Sequence, residues 1–207
     1  TLLVTPDINW SGSGLVVVSA FDGEYLSEQS FTLTVLPVND APVLDFIEDQ
    51  NIDEDASITI SLSGSDIDSE ILTFSADVNG NADVAVQGSI LTITPDADYN
   101  GTIAVTVYLN DGDITVSQTF ALVVNAINDA PVLSFIEDAI IDEDTIFTYE
   151  LSANDVDGDE LIYGAIDGTN ANIALDANIM TVTPNQDWYG DITISVSVTD
   201  GELTDTQ

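Results

Sequence analysis

The sequence contains no lysine, no arginine and no histidine against 38 aspartates and glutamates in 207 residues, so its formal charge at neutral pH is -38. Ordinary soluble domains carry about a quarter charged residues, with both signs well represented. The missing cations exclude a basic surface for nucleic acid or anionic lipid. They also remove the imidazole base, the Schiff-base amine and the cation that steadies an anionic transition state, and the chain is read as not an enzyme. Paired carboxylates can hydrolyse glycosides, but here they recur in each repeat, where convex strand ends and not a catalytic cleft are expected. Cysteine is absent too, which excludes disulfides and thiolate metal sites. No apolar run of about 18 residues occurs and no charged-then-apolar leader opens the chain. The expectation is a soluble fragment that neither inserts in a membrane nor carries its own export signal.

What is present argues for a fold: 44% of the residues are hydrophobic, and β-branched residues run through every segment. Repulsion among the carboxylates has no internal cation to offset it, so metal ions or high ambient salt must do so.

Comparison of the chain with itself reveals a repeat. Asn39-Asp40-Ala41-Pro42 returns as Asn128-Asp129-Ala130-Pro131, an offset of 89 residues from 39 to 128. Pro6, Pro95 and Pro184 keep that offset, as do Gly12, Gly101 and Gly190, and the pairs Asp22-Gly23, Asp111-Gly112 and Asp200-Gly201. Asp53-Glu54-Asp55 returns as Asp142-Glu143-Asp144, and Asp66-Ile67-Asp68 as Asp155-Val156-Asp157. Residues 1–38 are read as the C-terminal part of one repeat, 39–127 as a complete repeat with its connector, and 128–207 as a third. Gln207 corresponds to Gln118, so the third repeat is expected to lack its last strand, the counterpart of Phe120-Ala121-Leu122-Val123-Val124. Two readings follow: a window of a longer polymer, or a strand donated by a neighbouring chain.

Within a repeat the hydrophobic period is two. Ile58, Ile60 and Leu62 alternate with Thr59 and Ser61, and Ile103, Val105, Val107 and Leu109 follow the same rule. Asn79-Gly80 predicts a tight hairpin, and Asn100-Gly101 and Asp111-Gly112 predict further turns. About seven strands per repeat without helical periodicity predict an all-β chain: tandem immunoglobulin- or cadherin-like seven-stranded β-sandwiches joined end to end. Pro42 and Pro131 fall in the connectors, where a fixed φ keeps successive sandwiches extended.

Asn-Asp-Ala-Pro-Val, the Asp-x-Asp pair and the Asp-Gly turn, in that order, resemble the cadherin superfamily and most closely the cadherin-like and bacterial Ig-like tandem repeats of giant bacterial surface adhesins. The resemblance spans the whole chain and implies calcium at each junction. Carried over to the first junction, the base supplies Asp7, the connector Asn39 and Asp40, and the next repeat Asp66, Asp68 and Asp111. At the second, the corresponding residues are Glu54, Asp96 and Asp98, then Asn128 and Asp129, then Asp155, Asp157 and Asp200. Calcium takes six to eight oxygen ligands, and carboxylates brought together need such an ion between them. The match has gaps: Pro37 and Ala126 stand where cadherin connectors begin with aspartate, Asn9 replaces the counterpart of Asp98, and Asn185 that of Asp96. One or two ions per junction fit better than three.

Aspartate in a turn also hydrogen-bonds its own backbone, which is the reading for Asp22-Gly23 and Asp113. Asp157-Gly158-Asp159-Glu160 is denser and could hold an ion alone, but lacks the remainder of an EF-hand loop. Trp10, Tyr99 and Trp188 share one repeat position, read as a core plug before a glycine-bearing turn, with glycan stacking as the alternative. The expected function is a calcium-stiffened extender of an extracellular, cell-surface adhesin involved in cell adhesion or biofilm. Its partners are the neighbouring repeats of the same chain. The alternative is a filament subunit that meets other copies through these repeats, by strand complementation.

Overall fold

The computed structural model describes residues 1–166 and 168–207, and every described element is a β-strand. The chain divides into two compact units, Thr1–Asn125 and Ala126–Gln207.

In the first unit, β1 (Gly12–Phe21) and β2 (Leu26–Val35) form an antiparallel hairpin. Nine strands follow: β3 (Val43–Leu44), β4 (Gln50–Asp53), β5 (Ile58–Ser61), β6 (Gly64–Ser65), β7 (Thr73–Val78), β8 (Ala82–Gln87), β9 (Ile90–Pro95), β10 (Gly101–Asn110) and β11 (Thr115–Asn125). One sheet has the order β4-β11-β10-β7 and the facing one β5-β9-β8, with β3 and β6 paired at one end. All pairs are antiparallel except β4 with β11, which is parallel. Alternation puts Ile103, Val105 and Val107 of β10 and Phe120, Leu122 and Val124 of β11 against Leu91 and Ile93 of β9, and all are buried. This is a two-sheet sandwich with its core between the sheets.

The second unit repeats the plan with β12 (Val132–Leu133), β13 (Phe147–Glu150), β14 (Ala153–Asn154), β15 (Ile162–Ile166), β16 (Ala171–Asp176), β17 (Ile179–Pro184), β18 (Ser195–Thr199) and β19 (Thr204–Thr206). Its core gathers Leu133, Leu151, Met180, Val182, Val196 and Val198. Ala139–Asp142, the counterpart of β4, is not a strand, and Ile140 is 99% exposed. In the first unit β4 pairs in parallel with residues 122–125 of β11.

One turn departs from expectation. Asn79-Gly80 does not close a hairpin, because β7 and β8 lie in different sheets. The Asn79 side chain accepts a hydrogen bond from the Ala104 N–H at 3.3 Å, which anchors the crossing to β10. The two-residue hairpin turn is instead Gly88-Ser89, between β8 and β9, with Gly88 at φ 62°. The second unit places Ala177 there at φ 52°, where a Cβ is disfavoured. Tyr99 packs against the core as a plug, and Gly101, at φ 142°, lets the chain pass under its ring.

Candidate metal centre

Each repeat opens on a connector, and the same pair of hydrogen bonds ties it down in both. The Asn39 side-chain amide donates to Asp111 Oδ2 at 2.9 Å, and the Asp40 N–H donates to Asp68 Oδ2 at 2.7 Å. In the second unit Asn128 donates to Asp200 Oδ2 at 2.9 Å and the Asp129 N–H to Asp157 Oδ2 at 2.8 Å. Pro42 and Pro131, two residues past these aspartates, are buried. Their role is therefore more than spacing: they and the two hydrogen bonds fasten each connector to the repeat that follows it.

The carboxylates that receive these bonds sit in tight turns of their own making. Asp111 Oδ1 accepts from the N–H groups of Asp113 and Ile114, both at 2.7 Å, and Asp200 Oδ1 accepts from Glu202 and Leu203 at 2.6 and 2.7 Å. Asp22 makes the same turn with Glu24 and Tyr25. All three are held below the usual aspartate range: Asp111 first by the Ile114 N–H, Asp200 by that of Leu203, Asp22 by that of Tyr25. A lowered folded pKa means that this contribution is present above the ordinary carboxylate value and is lost as pH falls through the lowered one.

Asp66 and Asp155 differ in one respect. Asp66 Oδ1 accepts from the N–H groups of Asp68 and Ser69 at 2.7 and 2.6 Å. Asp155 Oδ1 accepts from Asp157 and Gly158, both at 3.0 Å, and from Asp159 at 3.3 Å. The second oxygen of each, Oδ2, is buried and has no hydrogen-bond partner. A buried carboxylate oxygen without a donor is costly, and a sequence without lysine, arginine or histidine has no side-chain cation to pair with it. Its natural complement is a metal ion from solution, and an oxygen-only donor set suits calcium. In the second unit Asp155, Asp157 and Asp159 each place an oxygen within 4.8 Å of the others.

Within the first unit a cleft of about 270 Å³ lies between residues 6–11 and the connector around residues 35–40. Asp7 and Asn9 line it from the first side, and Asp40 and Asp68 from the second. It thus collects Asp7, Asp40 and Asp68 of the residues expected at that junction, adds Asn9, and includes Trp10 in its wall. The other expected residues each have a defined place in their own unit. Glu54 is 5% exposed and its N–H donates to the Asn125 carbonyl at 2.9 Å, whereas Asp96 and Asp98 are exposed. Asp55 was not among the expected residues, yet its Oδ1 accepts from the Asp98 N–H at 3.2 Å. Asp144 does the same for Asp187 at 2.9 Å. All four have positive φ, from 55° to 60°.

The family model described as bacterial Ig domain matches residues 39–123 and again 128–207. Chitinase A of Pseudoalteromonas piscicida is 26% identical over 208 residues, covering 89% of this chain, and the chain spans a quarter of that relative's length. Among solved structures, PcdhgB3 EC1-4 shares the fold at 15% identity and a TM-score of 0.51, over 94% of this chain and 55% of that one. Human Protocadherin-24 EC1-2 is 16% identical over 82% of this chain and 94% of that one, with a TM-score of 0.47.

Proposed function

This chain belongs to the bacterial Ig domain family, and we propose that its repeats are calcium-stiffened spacers in a large extracellular surface protein, holding an adhesive or other working domain away from the cell. The observation that carries this reading is the pair of buried, unpartnered carboxylate oxygens on Asp66 and Asp155. Asp66, Asp68, Asp40 and Asp7 would hold the ion at the first junction, with Asn39 and Asp111 bracing the connector. Asp155, Asp157, Asp129 and Asp200 with Asn128 form the corresponding group of the second unit. Glu54, Asp96 and Asp98, with Asp55 behind Asp98, make up the base of the complete repeat. When bound, calcium supplies charge neutralisation and oxygen bridging, nothing more.

The chain's own hydrogen bonds determine where that matters. Because Asn39 and Asp40 are already fastened to Asp111 and Asp68, the free joint lies before them, at Leu36-Pro37-Val38. Repulsion between Asp7 on one side of the cleft and Asp40 and Asp68 on the other drives that joint open, and a divalent ion reverses the sign of the interaction. Extracellular calcium is millimolar, in the range where extracellular modules bind it. The repeats are non-catalytic in this reading. A likeness to a quarter of a protein named chitinase A suits a spacer that different working domains can carry.

The absence of cysteine makes the test clean. Spin labels on Glu28→Cys and Thr119→Cys, one on each side of the joint, are expected to give a narrow distance distribution in millimolar calcium and a broad one in chelator. Equal widths in the two conditions would remove the stiffening role.

A further inference from the structure

The chain holds two Asn-Gly pairs, Asn79-Gly80 and Asn100-Gly101. Both carry the atoms for a reaction that needs no enzyme: the glycine's backbone nitrogen can attack the asparagine's side-chain amide carbon, and glycine has no Cβ to obstruct the approach. The fold gives the two pairs different surroundings. At the 89-residue offset Asn79-Gly80 is replaced by Gly168-Thr169, so the pair is not a requirement of the fold.

Asn79 lies where β7 ends and the chain crosses to the facing sheet. The β7–β10 ladder stops at Val78 opposite Val105, and Gly80 belongs to no strand. Apart from its neighbours in the chain, no described residue comes within 4 Å of the place a Gly80 Cβ would take. Asn79 and Gly80 are both exposed, so water reaches them. The hydrogen bond from the Ala104 N–H to Asn79 Oδ1, at 3.3 Å, has a second consequence. That oxygen is where negative charge develops when a nucleophile adds to the amide carbon, and a fixed N–H aimed at it stabilises the charge. Asn100-Gly101 is placed differently. Gly101 is the first residue of β10, aligned with Val124 of β11, and the Tyr99 hydroxyl oxygen stands 2.8 Å from where a Cβ would be. Its nitrogen is fixed in a sheet under a ring, whereas that of Gly80 lies in an open crossing.

We propose that Asn79 is a site of self-modification, deamidated in the folded protein by the backbone nitrogen of Gly80. That nitrogen bonds to Asn79 Cγ, the Cγ–Nδ2 bond breaks, and the amide nitrogen leaves as ammonia, taking up through solvent the proton that Gly80 gives up. The product is a cyclic succinimide. Water then adds to one or other ring carbonyl and opens it. One opening gives aspartate, and the other gives isoaspartate, in which the main chain runs through the former side chain. Water is the sole co-reactant, and no oxidation state changes.

Either product adds a carboxylate to a chain already at -38. Aspartate keeps an oxygen for the Ala104 N–H. Isoaspartate lengthens the main chain by a methylene at the crossing and displaces that acceptor, so the crossing loses its anchor to β10. The modification is irreversible under these conditions and accumulates with the age of the molecule.

Incubation of the whole chain at mildly alkaline pH, folded in buffer and unfolded in urea, tests this. Trypsin has no site in the chain, but chymotrypsin cuts after Phe74, Tyr99 and Tyr108 and so separates the two asparagines for mass spectrometry, with isoaspartate resolved by chromatography. In the folded protein Asn79 is expected to convert at least about tenfold faster than Asn100, well below the roughly 10²–10³ that one well-aligned donor contributes in an enzyme. In urea the two rates should converge, because the local sequence is then all that remains. Asn79→Gln should abolish conversion at that position and leave Asn100 unchanged. Three results overturn the proposal: a ratio below tenfold in the folded protein, a ratio that stays at tenfold or more in urea, or aspartate formed at Asn79 without isoaspartate, since direct hydrolysis never passes through the ring.

Discussion

Raising calcium from chelated to about 10 mM is expected to lift the melting temperature of this chain by roughly 6–20 °C. The size follows from mass action. At the affinities of extracellular modules, about 10⁻⁴–10⁻³ M, that concentration is about 10–100 times the dissociation constant. Each occupied site then stabilises the folded repeat by about 1.4–2.7 kcal/mol. A domain of this size gains about 4–8 °C per kcal/mol. The alternative source of stability is general screening of a net charge of -38, which any salt provides. Sodium chloride at matched ionic strength is therefore the control, and it should give a much smaller rise. Differential scanning calorimetry in the two salts distinguishes them, since equal shifts mean screening alone.

A larger qualitative effect is expected at Asp66, where one substitution should change sign with conditions. Asp66→Asn keeps the acceptor that receives the Asp68 and Ser69 N–H groups and removes the charge on the buried, unpartnered side. In chelator the variant loses a desolvated carboxylate oxygen and should be as stable as the wild type or up to about 1 kcal/mol more stable. In calcium it loses a charged ligand and should be less stable by about 1–3 kcal/mol. The two melting curves therefore cross as calcium rises. Asp155→Asn should repeat the pattern in the second unit, where Asp155 has the same buried oxygen. Asp113→Asn, on an exposed turn residue outside the group, should show no crossing. Destabilisation of Asp66→Asn to the same extent with and without calcium would make Asp66 a turn-former only.

Much of the architecture was legible because the repeat compares the chain with itself. A match at an offset of 89 residues fixes equivalent positions, and the period-two pattern of Ile103, Val105, Val107 and Leu109 says which side faces the core. Asn79-Gly80 misled because a turn dipeptide specifies backbone conformation, whereas the sheet that receives the next strand depends on packing at a distance. Val84 and Val86 of β8 must reach the core from the side opposite Phe74 and Ala76 of β7.

The acidic group was readable in part. Asp40, Asp66 and Asp68 followed from motif order, but the split between the two oxygens of Asp66 is a matter of burial that spacing does not encode. Asp55 and Asp144 stood in the repeated Asp-Glu-Asp, and the sign of their role was the positive φ that aspartate tolerates more readily than most residues. Trp10, Tyr99 and Trp188 keep their positional equivalence, each ring lying over the glycine two residues on, Gly12, Gly101 and Gly190, and Trp10 in addition lines the acidic cleft.

The central claim is that anions with no counterpart in the polypeptide recruit a divalent ion where one repeat meets the next. A high-resolution crystal structure grown in millimolar calcium tests it most directly. The predicted result is an ion about 2.3–2.6 Å from Asp66 Oδ2, with Asp68 and Asp40 beside it and Asp7 facing it across the cleft. An ordered junction that holds only water, with those side chains turned apart, would contradict the account.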